Sequence, residues 1–95
     1  MGDKVRAHVF LAGRVQGVAY RFFAEKYANL LNVKGWVRNL YDGRVEVLAE
    51  GDRENVDQFL ERIKQGPRMA LVENIDLTWE NYSGEFPGFE ITGMW

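Results

Sequence analysis

Between Val5 and Leu31 the hydrophobic period changes once, across the stretch Gly13-Arg14-Val15-Gln16-Gly17-Val18-Ala19-Tyr20-Arg21. Ahead of it Val5, Ala7, Val9 and Leu11 alternate as in a half-buried strand, and behind it Tyr20, Ala24, Ala28 and Leu31 recur at helical spacing. The stretch is therefore a strand-to-helix turn, and the chain must combine a sheet with at least one helix. Gly13 and Gly17 let the backbone fold tightly there, so that successive N–H groups converge into a concave nest at the positive end of the following helix. Arg14 and Arg21 bracket the turn, and no Asp or Glu falls between Lys4 and Glu25. These features describe a local anion site of a kind suited to phosphate. A glycine-rich turn of this sort also occurs as a plain connection with no ligand, and that reading stays open on the turn alone. Nucleotide is disfavoured, because the stretch lacks the Lys-Ser/Thr ending of a P-loop and the third glycine of a dinucleotide fingerprint.

The formal charge of −2 argues against a nucleic-acid binder acting through bulk electrostatics, so any anion site has to be local. With no cysteine, one histidine (His8) and one serine (Ser83), the chain has no disulfide, no thiolate nucleophile and little material for a zinc site or a Ser-His device. Neither a cofactor nor a metal is expected. The N-terminal residues carry Asp3, Lys4 and Arg6 rather than the apolar core of a signal peptide, and no apolar run reaches the length of a membrane span. A cytoplasmic protein without membrane or nucleic-acid partners is the expectation. At 95 residues, it should be a single domain spanning 1–95 and a monomer.

The remaining elements follow from pattern. Val5 to Gly13 is the first strand, with Arg6, His8 and Phe10 on its outer face, where His8 is read as a solvated or surface-paired residue. The first helix runs from about Tyr20 to Asn32. Val33 to Tyr41 and Arg44 to Glu50 are extended segments joined by Asp42-Gly43, the dipeptide of a type I′ hairpin turn. In the first of them Gly35, Val37 and Asn39 share one side. Asp52 caps a second helix to about Gln65, whose Val56, Phe59, Leu60 and Ile63 form one apolar stripe, and Gly66-Pro67 ends it. Leu71 to Trp79 alternates with Leu71, Ile75, Leu77 and Trp79 on one face, although Glu73 interrupts that face and points to a bulge or a later start. Phe89 and Ile91 mark a short last strand. Trp36, Trp79 and Trp95 are read as packing residues. The order strand, helix, hairpin, helix, strand, strand predicts an α+β chain, a ferredoxin-like split βαβ sandwich in which two helices cover one face of a mostly antiparallel sheet.

The turn Leu11-Ala12-Gly13-Arg14-Val15-Gln16-Gly17-Val18-Ala19-Tyr20-Arg21 resembles the first signature of the acylphosphatases. The hairpin Gly35-Trp36-Val37-Arg38-Asn39, followed by Gly43-Arg44-Val45 and Gly51, resembles their second. Tyr20 stands where that family usually has Phe, which keeps an aromatic ring. The resemblance implies metal-independent hydrolysis of an acyl phosphate, a carboxyl–phosphate mixed anhydride, to a carboxylate and inorganic phosphate; the cradle of N–H groups and arginine leads us to expect the phosphate product to act as an inhibitor as well. It implies that Arg21 binds the phosphate, that Asn39 orients the attacking water, and that the backbone N–H groups of Val15, Gln16, Gly17, Val18, Ala19 and Tyr20 complete the cradle.

The residue types suit this chemistry. A guanidinium offers a permanently charged planar fork to phosphate oxygens, and a carboxamide can hold a water without removing its proton. Taken alone, Arg21 would as readily pair with a surface carboxylate, and Asn39 would serve as a strand-end asparagine. Arg14 and Arg38 are read as surface charges that raise the local anion concentration. Two other functions compete. A ferredoxin-like binding module for RNA or a small ligand would show paired aromatics on its central strands, of which the first strand supplies only Phe10. An accessory domain of a larger assembly is the other, since the acylphosphatase fold also occurs within hydrogenase-maturation proteins, whereas this chain reads as free-standing.

Overall fold

The computed structural model describes residues 3–93. Seven elements follow in order: β1 (Lys4–Arg14), α1 (Tyr20–Leu30), β2 (Lys34–Asn39), β3 (Val45–Asp52), α2 (Arg53–Gln65), β4 (Leu71–Glu80) and β5 (Phe89–Ile91). The strands form one sheet in the order β4-β1-β3-β2-β5, antiparallel except for the β2–β5 pair. Alternation along β1 and β3 turns Ala7, Val9, Leu11, Val45, Val47 and Ala49 toward the helices, where they meet Ala24 and Ala28 of α1 and Val56, Phe59, Leu60 and Ile63 of α2. This is the expected split βαβ architecture. Trp95 lies outside the described residues.

Several local expectations hold for identifiable reasons. The α2 stripe is buried at all four positions, and Gly66 ends the helix with a φ of 72°. Asn32 takes a left-handed conformation (φ 56°) that closes α1. Asp52 does stand at the N-cap of α2, but its side chain makes no capping bond; the carboxylate is held instead by the Lys4 ammonium at 2.8 Å.

Three expectations are corrected. The β2–β3 turn is not type I′, because that turn requires positive φ at both central residues, and Asp42 is not among the residues with positive φ. Instead the Gly43 N–H donates to the Leu40 carbonyl at 3.1 Å and the Leu40 N–H to the Arg44 carbonyl at 2.8 Å, which gives a longer hairpin loop with Tyr41 and Asp42 at its tip. Along β4, Leu71 does not face the core. Ala12 pairs with Asn74 while Gly13 pairs with Val72, so Glu73 is the extra residue of a bulge. The bulge reverses the alternation, placing Val72 against the core and leaving Leu71 54% exposed. Gly13 serves this bulge rather than the turn beyond it, since a Cβ there would stand 2.2 Å from the Leu71 carbonyl oxygen.

Candidate active site

The segment between β1 and α1 is anchored at both ends and open between them. Val15 is fully buried and Tyr20 nearly so, while Gln16, Gly17, Val18 and Ala19 arch over the gap. Gly17 (φ 74°) and Ala19 (φ 62°, ψ 28°) both take left-handed conformations, alternating with ordinary residues in the manner that turns successive N–H groups to one side. Left-handed backbone suits Gly17 but costs Ala19 of order 1 kcal/mol. Ala19 is also the N-cap of α1, so the nest and the positive end of the helix dipole point at the same place. No acidic residue lies in the first turn of α1. None of the N–H groups of residues 16–20 donates to a backbone carbonyl among the described residues.

Arg21 is the second residue of α1, beside the nest, and is partly exposed. Among the described residues no carboxylate forms an ion pair with it. Asn39 ends β2 on the core side of the sheet and is 7% exposed. Its Oδ1 is buried without a hydrogen-bond partner among the described residues. Such an orphaned acceptor costs about 1–3 kcal/mol in a folded protein and calls for a reason.

The Gln16 side chain, which the sequence reading passed over, joins the two parts. Its Nε2 donates to the Leu40 carbonyl at 2.8 Å and to the Arg44 carbonyl at 2.9 Å. Nothing in the local pattern around residue 16 announces contacts with residues 40 and 44; only the long motif match touches both stretches. Tyr20 is also more than a retained ring. Its hydroxyl donates to the Ile63 carbonyl in the last turn of α2, so the start of α1 is tied to the end of the second helix. Burial pushes the phenol well above its ordinary pKa, which keeps it a donor.

The outer face of the sheet, opposite the helices, carries a line of charges. Arg38 Nε donates to Glu46 Oε1 at 2.7 Å and its guanidinium lies 4.7 Å from the Trp36 ring, so its charge is balanced rather than free to attract anions. Glu46 Oε2 meets His8 Nε2 at 2.6 Å, and His8 Nδ1 meets Glu80 Oε2 at 2.7 Å. His8 is thus surface-paired. Burial disfavours its charge, but the carboxylates of Glu46 and Glu80 outweigh burial and raise its pKa. Arg6 Nε donates to Glu50 Oε2 at 2.8 Å. Glu50, 1% exposed, also accepts from the Ser83 and Gly84 N–H groups and the Ser83 hydroxyl. Burial opposes the charge on Glu50 as well, yet these donors hold its carboxyl below the usual carboxylate range. Trp79 is a packing residue only in part: 39% exposed on the edge strand, it lies 4.2 Å beneath the Arg53 guanidinium. No group of three or more His, Asp or Glu among the described residues is arranged to hold a metal ion. Among the described residues no helix is long and apolar enough to cross a membrane.

Known proteins share both the sequence and this fold. A family model described as Acylphosphatase matches residues 7–91. An acylphosphatase of Roseiflexus sp. (strain RS-1) is 50% identical over 96% of this chain and 98% of its own length. One from Syntrophobacter fumaroxidans is 47% identical over 98% of this chain and 97% of its own. The crystal structure of acylphosphatase from Bacillus subtilis superposes with a TM-score of 0.89 at 35% identity, covering 93% of this chain and 98% of that one.

Proposed function

The chain belongs to the acylphosphatase family, hydrolases of acid anhydrides that act on small-molecule acyl phosphates, and on that premise we propose how its own residues perform the reaction. The nest of N–H groups at Val15 to Tyr20 and the Arg21 guanidinium hold the phosphoryl oxygens. The nest belongs to the folded turn before substrate arrives, so its charge stabilisation needs little reorganisation as negative charge spreads over the phosphoryl group. Asn39 Oδ1 accepts a hydrogen bond from the attacking water and aims its lone pair at phosphorus. The water forms the new P–O bond as the bond to the acyl oxygen breaks with its electron pair. The water's proton passes to a phosphoryl oxygen, and the products are a carboxylate and inorganic phosphate. Because the conjugate acid of the leaving carboxylate has a pKa of about 4, no general acid is required. Activity in the presence of a chelator, competitive inhibition by phosphate and action as a monomer belong to the same reading.

The observation that carries this reading is the buried, unpartnered Oδ1 of Asn39, an acceptor with capacity for a water, at the end of a hairpin that Gln16 fastens to the nest. Steady-state kinetics on an acyl phosphate test it. Arg21 grips phosphate in the ground and transition states, so Arg21→Ala is expected to raise KM and lower kcat together. Asn39→Ala is expected to lower kcat by about 10²-fold or more with a smaller change in KM. A folded Asn39→Ala enzyme with near-normal kcat and a raised KM would remove the water-positioning role.

A further inference from the structure

We propose that the Gln16 side chain is a positioning residue for this reaction: its carboxamide sets the spacing between the phosphate nest and the water-holding oxygen of Asn39. The inference rests on the roles given above to the nest and Asn39. Gln16 is the second residue of the nest segment Val15 to Tyr20, and Leu40, one of its two acceptors, is covalently bonded to Asn39. Both hydrogens of the Gln16 Nε2 are used, one on each carbonyl at the mouth of the hairpin loop, at 2.8 and 2.9 Å. A two-pronged tie of this kind fixes direction as well as distance.

The turn does not need Gln16 in order to close. The Leu40 carbonyl already accepts from the Gly43 N–H, and the Arg44 carbonyl from the Leu40 N–H. Among the described residues, however, no other hydrogen bond joins segment 15–19 to residues 39–45. Without the amide, core packing alone relates the nest to the hairpin, and the bonded groups stand 24 positions apart in the chain. In-line attack is sensitive to such slack: a shift of about 1 Å in a reacting group costs on the order of 10²-fold in rate. Since each carbonyl keeps a backbone partner and both residues are partly exposed, removing the amide leaves no buried orphan and the variant should fold.

Gln16→Met keeps length and shape while removing both donors. The experiment compares kcat, KM and the inhibition constant of inorganic phosphate for wild type, Gln16→Met, Asn39→Ala and the double variant, with circular dichroism and denaturant midpoint as checks on folding. Gln16→Met is expected to lower kcat by about tenfold or more, while the inhibition constant stays within about threefold of wild type because the nest keeps its N–H groups. The double variant should be no slower than Asn39→Ala alone, since a strut has nothing left to position once the water-holding group is gone. Losses that multiply in the double variant would overturn the inference, as would a near-normal kcat in Gln16→Met or a change confined to phosphate binding. If Asn39→Ala alone retains kcat, the underlying reading fails; if Asn39→Ala is slow and the losses multiply, only the role of Gln16 fails. Gln16→Leu supplies the same comparison where the Met variant does not fold.

Discussion

Removing one oxygen atom from the core should measurably weaken this protein while leaving its chemistry in place. In Tyr20→Phe the ring that packs near Phe23 and Gly66 remains, and only the hydroxyl bonded to the Ile63 carbonyl is lost. Ile63 is fully buried and lies in the last turn of α2, where carbonyls have no partner further along the helix. The neighbouring Arg62 carbonyl is taken by the Gly66 N–H. The Ile63 carbonyl would therefore be stranded, at a cost of about 1–3 kcal/mol, with the lost volume too small to add a cavity contribution. For a domain of this size each kcal/mol lowers Tm by about 4–8 °C, so a fall of at least about 4 °C is expected. Urea unfolding followed by circular dichroism, with an unchanged m-value, measures the loss, and kcat on an acyl phosphate should stay within about twofold because the ring still anchors the nest. A variant within about 0.3 kcal/mol of wild type would show that the hydroxyl does no more than a water could. A variant of full stability but low kcat would show that the hydroxyl acts on the nest and not on the helix ends.

Two expectations concern pH, and they have opposite signs. Because both ring nitrogens of His8 face carboxylates, its NMR titration should lie above the ordinary value of about 6.5; the link stabilises fully below that value and is lost as pH rises through the higher folded one, so the stability gap between wild type and His8→Gln should shrink over that window. A midpoint at or below 6.5 would refute it. Glu50 behaves in reverse, its depressed pKa adding stability above about 4.3 that disappears as pH falls through the folded value. Glu50→Gln should thus flatten the acid limb of a stability–pH curve, and an unchanged limb would count against the Ser83–Gly84 clasp.

Periodicity made the architecture legible wherever one face of an element is buried. The stripe of α2 and the alternation of β1 located the core because each of those residues meets it directly. Where register decides, the pattern fell short. Asp42-Gly43 fits a two-residue turn by composition, yet the pairing of Asn39 with Val45 leaves five residues between the strands. Glu73 left a bulge or a later start open, of which the bulge is found, but it gave no sign that Val72 would replace Leu71 in the core. In the candidate site, Arg21, Asn39 and the nest stand in two contiguous motifs, whereas the tie from Gln16 and the bond from Tyr20 span 24 and 43 residues and leave no local trace. Glu46 and Glu50 alternate with Val45, Val47 and Ala49 and so stand on the outer face of the sheet. They are buried because the sheet order sets Arg38 opposite Glu46 and Arg6 opposite Glu50, with His8 reaching Glu46 diagonally.

The place of β1 within the sheet also governs how the molecule can assemble. Its two neighbours are β3 and β4, and the second pairing brings Arg6 opposite Glu80. The strand that leads into the nest therefore cannot complete its hydrogen bonding on the ribosome until residue 80 has emerged, and β2, which carries Asn39, waits for Phe89 to Ile91. Pairings this distant in sequence require large loops to close before they are rewarded, which slows folding relative to a chain of local contacts. During that interval β1 presents one satisfied edge and one bare edge next to an apolar face, the condition under which neighbouring nascent chains pair with each other.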